Sequence, residues 1–261
     1  MNTHKSEMRS TVVNQPESAD SAAEQEPPGP PRISIIVPVW REAASIEASL
    51  LPLQPWREAG HEVIVVDGGS DDGTREKARP LCNHLVTAEL GRAAQMNAGA
   101  ELASGDILLF LHADTRLPQA ARETLADFYR SHLHWGRFDV RLSGRRLLFR
   151  VIAWFMNQRS RLTGIATGDQ AIFVRRSVFE ALHGFARVPL MEDVELSSRL
   201  RLASRPWCIH DPVVTDSRRW ESRGAWHTIW LMWRLRWRYW RGESPNTLAQ
   251  EYRSDVRNAQ S

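Results

Sequence analysis

Three short apolar runs stand out along the first half of the chain: Ile33–Val39 (ISIIVPV), Glu62–Val66 (EVIVV) and Ile107–Leu111 (ILLFL). Each is continuous, rich in β-branched or aliphatic residues and bounded by turn residues, as expected of strands buried on both faces. Pro38 falls near the end of the first run, where a missing amide donor does least harm. A weaker run at His84–Thr87 predicts a further strand. Helical spacing fills the gaps. Ala43–Arg57 carries Ile46, Leu50, Leu51 and Leu53 near one face, with Pro52 and Pro55 placed to break its last part. Ala93–Ala103 and Gln119–Tyr129 predict two more helices. Strands alternating with helices over short connections predict an α/β fold with an open, mostly parallel central sheet flanked by helices. Such a sheet binds its ligand at the carboxyl edge of the strands.

Beyond Arg130 the pattern changes. Trp135–Leu142 (WGRFDVRL) alternates as a half-exposed strand would. Arg146–Leu162 predicts an amphipathic helix with Leu147, Val151, Trp154 and Phe155 on one side. Thr167–Val174 (TGDQAIFV) predicts a strand whose polar entry sets Gly168, Asp169 and Gln170 at a rim, and Cys208–Val214 predicts the last strand. Trp226, Trp230, Trp233, Trp237 and Trp240 recur in steps of four and three, one helical stripe accompanied by Arg234, Arg236, Arg238 and Arg241. Such a helix either lies in a membrane interface, with anionic lipid drawing its basic side, or packs its indoles on the chain's own core or a dimer partner.

A length of 261 residues allows one substantial core or two small ones, and 42% hydrophobic with 25% charged residues is ordinary for a globular protein. A net charge of +3 gives no case for nucleic acid. Cys82 and Cys208 have no metal-ligand spacing and fit a reduced, cytoplasmic setting. No apolar run reaches the roughly 18 residues of a spanning helix, and no signal peptide is expected. Residues 1–32, rich in Ser, Glu, Gln and Pro, read as a disordered tail. The predicted division is therefore a tail at 1–32, a catalytic-type domain at 33–215, and an Arg/Trp-rich helical extension at 216–261.

Candidate chemistry gathers at strand ends. Ile107–Leu111 delivers Asp114 to a rim, either as a functional acid or as the cap of the turn that follows. Glu62–Val66 opens into DGGSDDGT (Asp67–Thr74), either an Asp/Gly turn with no chemistry or an anionic loop suited to accepting hydrogen bonds from a base or ribose, or to helping hold a divalent metal. Arg92 opens a helix of small residues, where it and the helix dipole would meet an anion, or where it stands simply exposed. Glu192 and Asp193 begin another helix, either as favourable first-turn acids or with one facing a cleft as general base. No GxGxxG follows the first strand, where Pro38-Val39-Trp40-Arg41-Glu42 stands instead, which argues against NAD or FAD.

The segments PVWREAASI, VDGGSDDGT, GRAAQMNAGA, LHADT, TGDQAIFV and MEDVELSSRL, in this order over roughly residues 33–252, resemble the family 2 glycosyltransferases of GT-A fold. The chain looks most similar to a short bacterial branch carrying LHADT and a C-terminal SRRWE. Some members of that branch are labelled arsenosugar-biosynthesis glycosyltransferases, and its neighbours resemble diaponeurosporenoate glycosyltransferases. The resemblance implies an inverting transfer from a nucleotide-diphospho-sugar, with a UDP-sugar the expected donor and Mn²⁺ or Mg²⁺ as cofactor. The acceptor is a hydroxyl or carboxyl group, lipidic or on a small metabolite. It further implies that Pro38, Glu42, Asp67 and Asp71 or Asp72 line the nucleoside pocket, and that Arg92 and Gln95 approach the nucleotide. Asp114 would be the last residue of a metal-binding Asp-x-Asp motif whose first position is His112 here. His112 then either ligates the ion, better Mn²⁺ than Mg²⁺, or bonds ribose or phosphate. Gly168, Asp169, Gln170 and Glu192 would border the donor sugar and acceptor, Asp193 would be the general base, and Arg218 and Arg219 would fold over the diphosphate. A peripheral contact with the inner face of the membrane and an oligomer stay open. The alternative is a non-catalytic sugar-nucleotide or membrane-surface binding protein on the same fold.

Overall fold

The computed structural model describes residues 29–218 and 224–258. Eight strands form one sheet in the order β3-β2-β1-β4-β7-β6-β8-β5. They are β1 (Ile33–Val39), β2 (Glu62–Asp67), β3 (His84–Thr87), β4 (Ile107–Phe110), β5 (Thr115–Arg116), β6 (Trp135–Leu142), β7 (Phe173–Arg175) and β8 (Trp207–Thr215). The β1–β2, β1–β4, β2–β3 and β6–β8 pairs are parallel, and β5 and β7 run against the other strands. The carboxyl ends of β1, β2, β4, β6 and β8 therefore share one rim, and the antiparallel β7 is entered from that same rim.

The helices are α1 (Ile46–Leu50), α2 (Gln54–Glu58), α3 (Thr74–Ala78), α4 (Arg92–Leu102), α5 (Ala121–Arg130), α6 (Leu147–Thr163), α7 (Arg176–Ala181), α8 (Glu192–Ala203), α9 (Ala225–Trp240) and α10 (Pro245–Asn258). They cover both faces of the sheet, which is why the central strands read as unbroken apolar runs. Ile35, Val37 and Leu109 point to one side, with Leu125 and Phe128 of α5. Ile36, Leu108 and Phe110 point to the other, with Met96 of α4 and Leu196 and Leu200 of α8. The small residues of α4 let it sit hard on the sheet: a Cβ on Gly99 would lie 2.5 Å from Ile36 Cγ2.

Several elements differ from the sequence pattern for physical reasons. The helix expected over 43–57 is cut into α1, a 3-10 turn at Leu51–Leu53 and α2, with Pro52 and Pro55 each at the start of a new piece. β6 is not half-exposed. Arg137 is fully buried, paired with Asp139 and donating from Nε to Ser160 Oγ at 3.1 Å. On α6 the core-facing residues are Phe149, Ile152 and Ala153, whereas Leu147, Val151, Trp154 and Phe155 face outward. The polar entry expected to begin a strand at Thr167 is a 3-10 turn at Gly168–Gln170, and pairing starts only at Phe173.

The N-terminal tail falls outside the described residues up to 28. Arg32 at its end is anchored by its amide on Asp106 Oδ2 (2.9 Å) and its guanidinium on Glu62 (3.1 Å). The C-terminal helices return to the body. Ile229 packs with Phe149 and Ile152, while Leu231, Leu235 and Leu248 pack with Met191. The indoles of Trp230, Trp233, Trp237 and Trp240 are exposed. Among the described residues no helix is long and apolar enough to cross a membrane.

Candidate active site

A cavity of about 1080 Å³ opens at the carboxyl rim. It is lined by the end of β1 and the residues after it (Pro38, Val39, Trp40 and Glu42), by Leu90–Arg92 and Gln95 before and within α4, by His112–Asp114 after β4 and by Thr215 and Asp216 at the end of β8. Its outer walls are α6 and α9.

The acidic loop after β2 is held by its own carboxylates. Asp67, fully buried, accepts from the amides of Gly69 (3.0 Å) and Ser70 (2.9 Å) on Oδ2 and from Ser70 Oγ (2.5 Å) on Oδ1. Asp72 accepts from Thr74 Oγ1 (2.5 Å) and from the amides of Thr74 and Ala43 (both 3.1 Å). The Thr74 hydroxyl is the main cause that holds the Asp72 carboxyl below its ordinary range. Asp71 lays both oxygens on Arg41, at 2.9 and 2.8 Å from Nε and Nη2. These three acids shape the loop and clamp residues 41–43, and none of them lines the cavity. Pro38 and Glu42 do. Gln95 is a brace: its Nε2 donates to Val39 O and Val66 O, both at 2.8 Å, tying the ends of β1 and β2 to the first turns of α4. That brace sets Arg92 at the helix start, 4.0 Å from Glu192 Oε1.

His112, Gly168, Asp169 and the Glu192-Asp193 pair form one knot. His112 Nδ1 lies 3.5 Å from Asp169 Oδ1. Its ring packs so closely on Gly168 that a Cβ there would fall 2.5 Å from Cε1 and Nε2. The Gly168 amide donates to Asp193 Oδ2 at 2.8 Å, and Asp193 Oδ1 accepts from the Val194 amide at 2.7 Å. Gln170, buried, accepts from the Thr167 amide through Oε1 (3.2 Å) and stiffens the same turn. Burial, then the charge of Asp193, pushes the Glu192 carboxyl above its ordinary value, against the pull of Arg92 and His112. Two non-glycine residues with positive φ flank the knot, Ala171 (46°) and Met191 (68°), a strain that clusters at functional sites.

On the other side of the rim Asp114 is exposed. Its Oδ1 accepts from the hydroxyls of Thr115 (3.2 Å) and Thr215 (3.4 Å), and its carbonyl accepts from the Asp216 amide (3.1 Å). Asp216 in turn holds Arg218, whose amide and Nε each lie 2.7 Å from a carboxylate oxygen. Arg219 lies outside the described residues. The structure thus gathers Arg92, His112, Gly168, Asp169, Glu192 and Asp193, sets Asp114 with Arg218 beside Asp216, and leaves the loop acids apart.

Two arginines of the cavity were not among the site residues expected from the sequence: Arg159 of α6 and Arg236 of α9. Burial and the charge of Arg236 lower the Arg159 guanidinium to about 10, opposed by Asp193 and Asp169. A spacing of four puts Arg159 on the side of Val151 and Phe155, and a spacing of three puts Arg236 beyond Trp233. Those spacings were the available signal.

Residues 34–182 match the model of glycosyl transferase family 2. Among curated relatives, the glycosyltransferase AglE of Haloferax volcanii is 39% identical over 93 residues, covering 32% of this chain and 31% of that protein. The undecaprenyl-phosphate 4-deoxy-4-formamido-L-arabinose transferase of Aeromonas hydrophila is 28% identical over 172 residues, 58% of this chain and 51% of that protein. The matches thus span about half or less of these relatives' own length. Among solved structures, the Pyrobaculum calidifontis mannosyltransferase PcManGT, in complex with GDP-Man and Mn²⁺, aligns with a TM-score of 0.54 at 24% identity. That alignment covers 73% of this chain and 58% of that one. An S. aureus TarS fragment with UDP aligns with a TM-score of 0.55 at 19% identity, over 71% and 60% of the two chains. These two share the fold, and with more than half of its residues inside the family model the chain belongs to glycosyl transferase family 2.

Proposed function

We propose that the protein transfers a sugar from a nucleotide-diphospho-sugar to an acceptor, with inversion at the anomeric carbon. The observation that carries this reading is an outward carboxylate (Asp114) and a cation at a helix start (Arg92) on the lining of one cavity, with a carboxylate held by two backbone amides (Asp193) bonded to the Gly168 turn that packs on the lining residue His112. The nucleoside lies against Pro38, Trp40 and Glu42, and Arg92, aided by the α4 dipole, stabilises charge building on the leaving diphosphate. Asp193 takes the proton of the incoming acceptor as it attacks from the face opposite the diphosphate. Its two amide bonds fix the carboxylate and leave lone pairs for that proton.

A divalent ion fits this rim in one form. Among the described residues no group of three His, Cys, Asp or Glu side chains gathers to hold a metal alone. Asp114 offers a carboxylate to the cleft, with Asp216 adjacent, and His112 is engaged with Gly168 and Asp169. Such a set suits an ion that takes most of its ligands from the diphosphate and water, as Mg²⁺ and Mn²⁺ do with nucleotides. When bound, the ion neutralises charge on the leaving group. The exposed indoles of α9 support a further part of the proposal, a peripheral contact with a membrane surface.

The test is release of nucleoside diphosphate from a panel of UDP- and GDP-sugars, with and without Mn²⁺. Release from at least one donor is expected, and Asp114→Ala should remove the Mn²⁺-stimulated part. A panel with no release, or stimulation unchanged in Asp114→Ala, would overturn the assignment.

A further inference from the structure

Two arginines in the cleft have no part in the transfer chemistry above. Arg159 and Arg236 project from α6 and α9 into the same cavity. The Nε and Nη2 hydrogens of an arginine form one edge of the guanidinium, the edge that grips an anion with two parallel bonds. In this protein Arg41 lays that edge on Asp71 (2.9 and 2.8 Å), and Arg199 lays it on Glu195 (2.7 and 2.6 Å). At Arg159 both atoms of that edge are out of contact with water and meet no acceptor. Among the described residues it is the one arginine left so at both atoms. Arg236 stands near enough for its charge to weaken the hold of Arg159 on its proton, so two like charges confront each other across the cleft. An anion between them would relieve the repulsion and, once the Arg159 side chain turns that edge toward the cavity, the unmet donors as well.

The surroundings specify more than an anion. Val151, Phe155 and Leu162 of α6 face Ile229, Met232 and Trp233 of α9, so the arginines sit among apolar walls. Leu162 and Trp233 are 86% and 70% exposed, an unusual cost for a surface with nothing to cover it. The electrostatic partners of Arg159 include Asp193 and Asp169, which places it on the side of the candidate base rather than of Asp114.

We propose that Arg159 and Arg236 form the acceptor subsite, taking an amphiphile whose anionic head, a phosphate or carboxylate, seats between them while its apolar body lies between α6 and α9. The acceptor role rests on the transferase reading; the binding site itself does not.

Calorimetry on the full chain separates the possibilities, using octyl phosphate, octanoate, octanol and inorganic phosphate below their aggregation limits, and UDP and GDP with Mn²⁺. Octyl phosphate or octanoate should bind at least tenfold more tightly than octanol and than inorganic phosphate. Arg159→Gln should lose tenfold or more of that affinity, Arg159→Lys should recover part of it, and nucleoside diphosphate affinity should change less than twofold in both. Trp233→Ala should weaken octyl phosphate and leave inorganic phosphate unaffected. Circular dichroism melts and the lysine variant guard against a folding defect. Octanol binding as tightly as the anions, or Arg159→Gln binding octyl phosphate like the wild type, would overturn the proposal. So would an equal loss of nucleoside diphosphate affinity in Arg159→Gln, because the pair would then serve the donor. A chain that binds octyl phosphate in the expected way yet releases no diphosphate from any sugar nucleotide would keep the anion site and overturn the transferase reading instead.

Discussion

Asp193 is positioned by backbone amides alone, so its role can be separated from its support. An amide side chain keeps its oxygen on the Gly168 N–H that now meets Asp193 Oδ2 at 2.8 Å and gives up only the bond from the adjacent Val194 amide, but it cannot take a proton. Asp193→Asn should therefore keep donor affinity within about threefold and lose roughly 10²–10⁴-fold in kcat, the range of general base catalysis. Turnover near wild type in single-turnover assays would place the base elsewhere. Its neighbour Glu192 gives a different signal. Burial first, and Asp193 second, raise the Glu192 pKa above 4.5, so the native state binds this proton more tightly than the unfolded chain. The associated stability is present at pH below 4.5 and is lost as pH rises through the raised native value. Glu192→Gln removes that dependence. Wild-type Tm should fall relative to Glu192→Gln over this window and stay lower at neutral pH; parallel Tm profiles from scanning calorimetry would refute the assignment.

The turn before β7 links these residues to the end of β4. Ala at position 168 would drive a Cβ into the His112 ring, 2.5 Å from two of its atoms, and the ring is wedged beside Asp169. Overpacking of this kind costs about 1–3 kcal/mol, and any shift of the turn moves the amide that holds Asp193. Gly168→Ala should lower both Tm and kcat, with kcat falling at least tenfold at a temperature where the variant is still folded. An unchanged kcat would mean that the turn does not position the base. This element also shows what the sequence can and cannot reveal. β1, β2 and β4 were legible because burial on both faces removes polar residues from the strand interior. The Gly168–Gln170 turn was not, because its shape depends on Asp193, 25 residues away, accepting from its first amide. The loop acids Asp67, Asp71 and Asp72 read in sequence as nucleoside ligands, and nothing local announces the bonds they make to their own loop and to residues 41–43. Arg159 was missed for the converse reason: an arginine on an amphipathic helix is assigned to solvent until a second helix closes over it.

At the scale of the whole molecule, α9 keeps its exposed indoles off the chain's own core. Its stripe of indoles was equally legible as a core face or as an interface, and the core contacts are made instead by Leu231 and Leu235 on the opposite side. Trp230 and Trp240 point away from the body and line no part of the cavity. The arginines of the helix are less free than the sequence implies. Arg234 and Arg238 are paired with Glu251, Arg238 also with Glu243, and Arg236 faces the cleft. Arg234 and Arg241 lie over Trp230 and Trp237, at 4.4 and 4.9 Å from the ring centroids. A membrane contact built this way draws on indole burial more than on net positive charge, and the two contributions respond differently to salt. Vesicle co-sedimentation should show binding that persists in about 1 M salt, where charges are screened beyond ~3 Å. The double variant Trp230→Ala, Trp240→Ala should lose most of that binding while its affinity for UDP is unchanged. Binding abolished by salt alone would assign the contact to the arginines, and absence of binding to anionic vesicles would leave the outer face of α9 to another copy of the chain. α6 and this helix both line the cavity. A surface that seats the indoles in the headgroup layer therefore also presents the cleft to amphiphiles held in that layer.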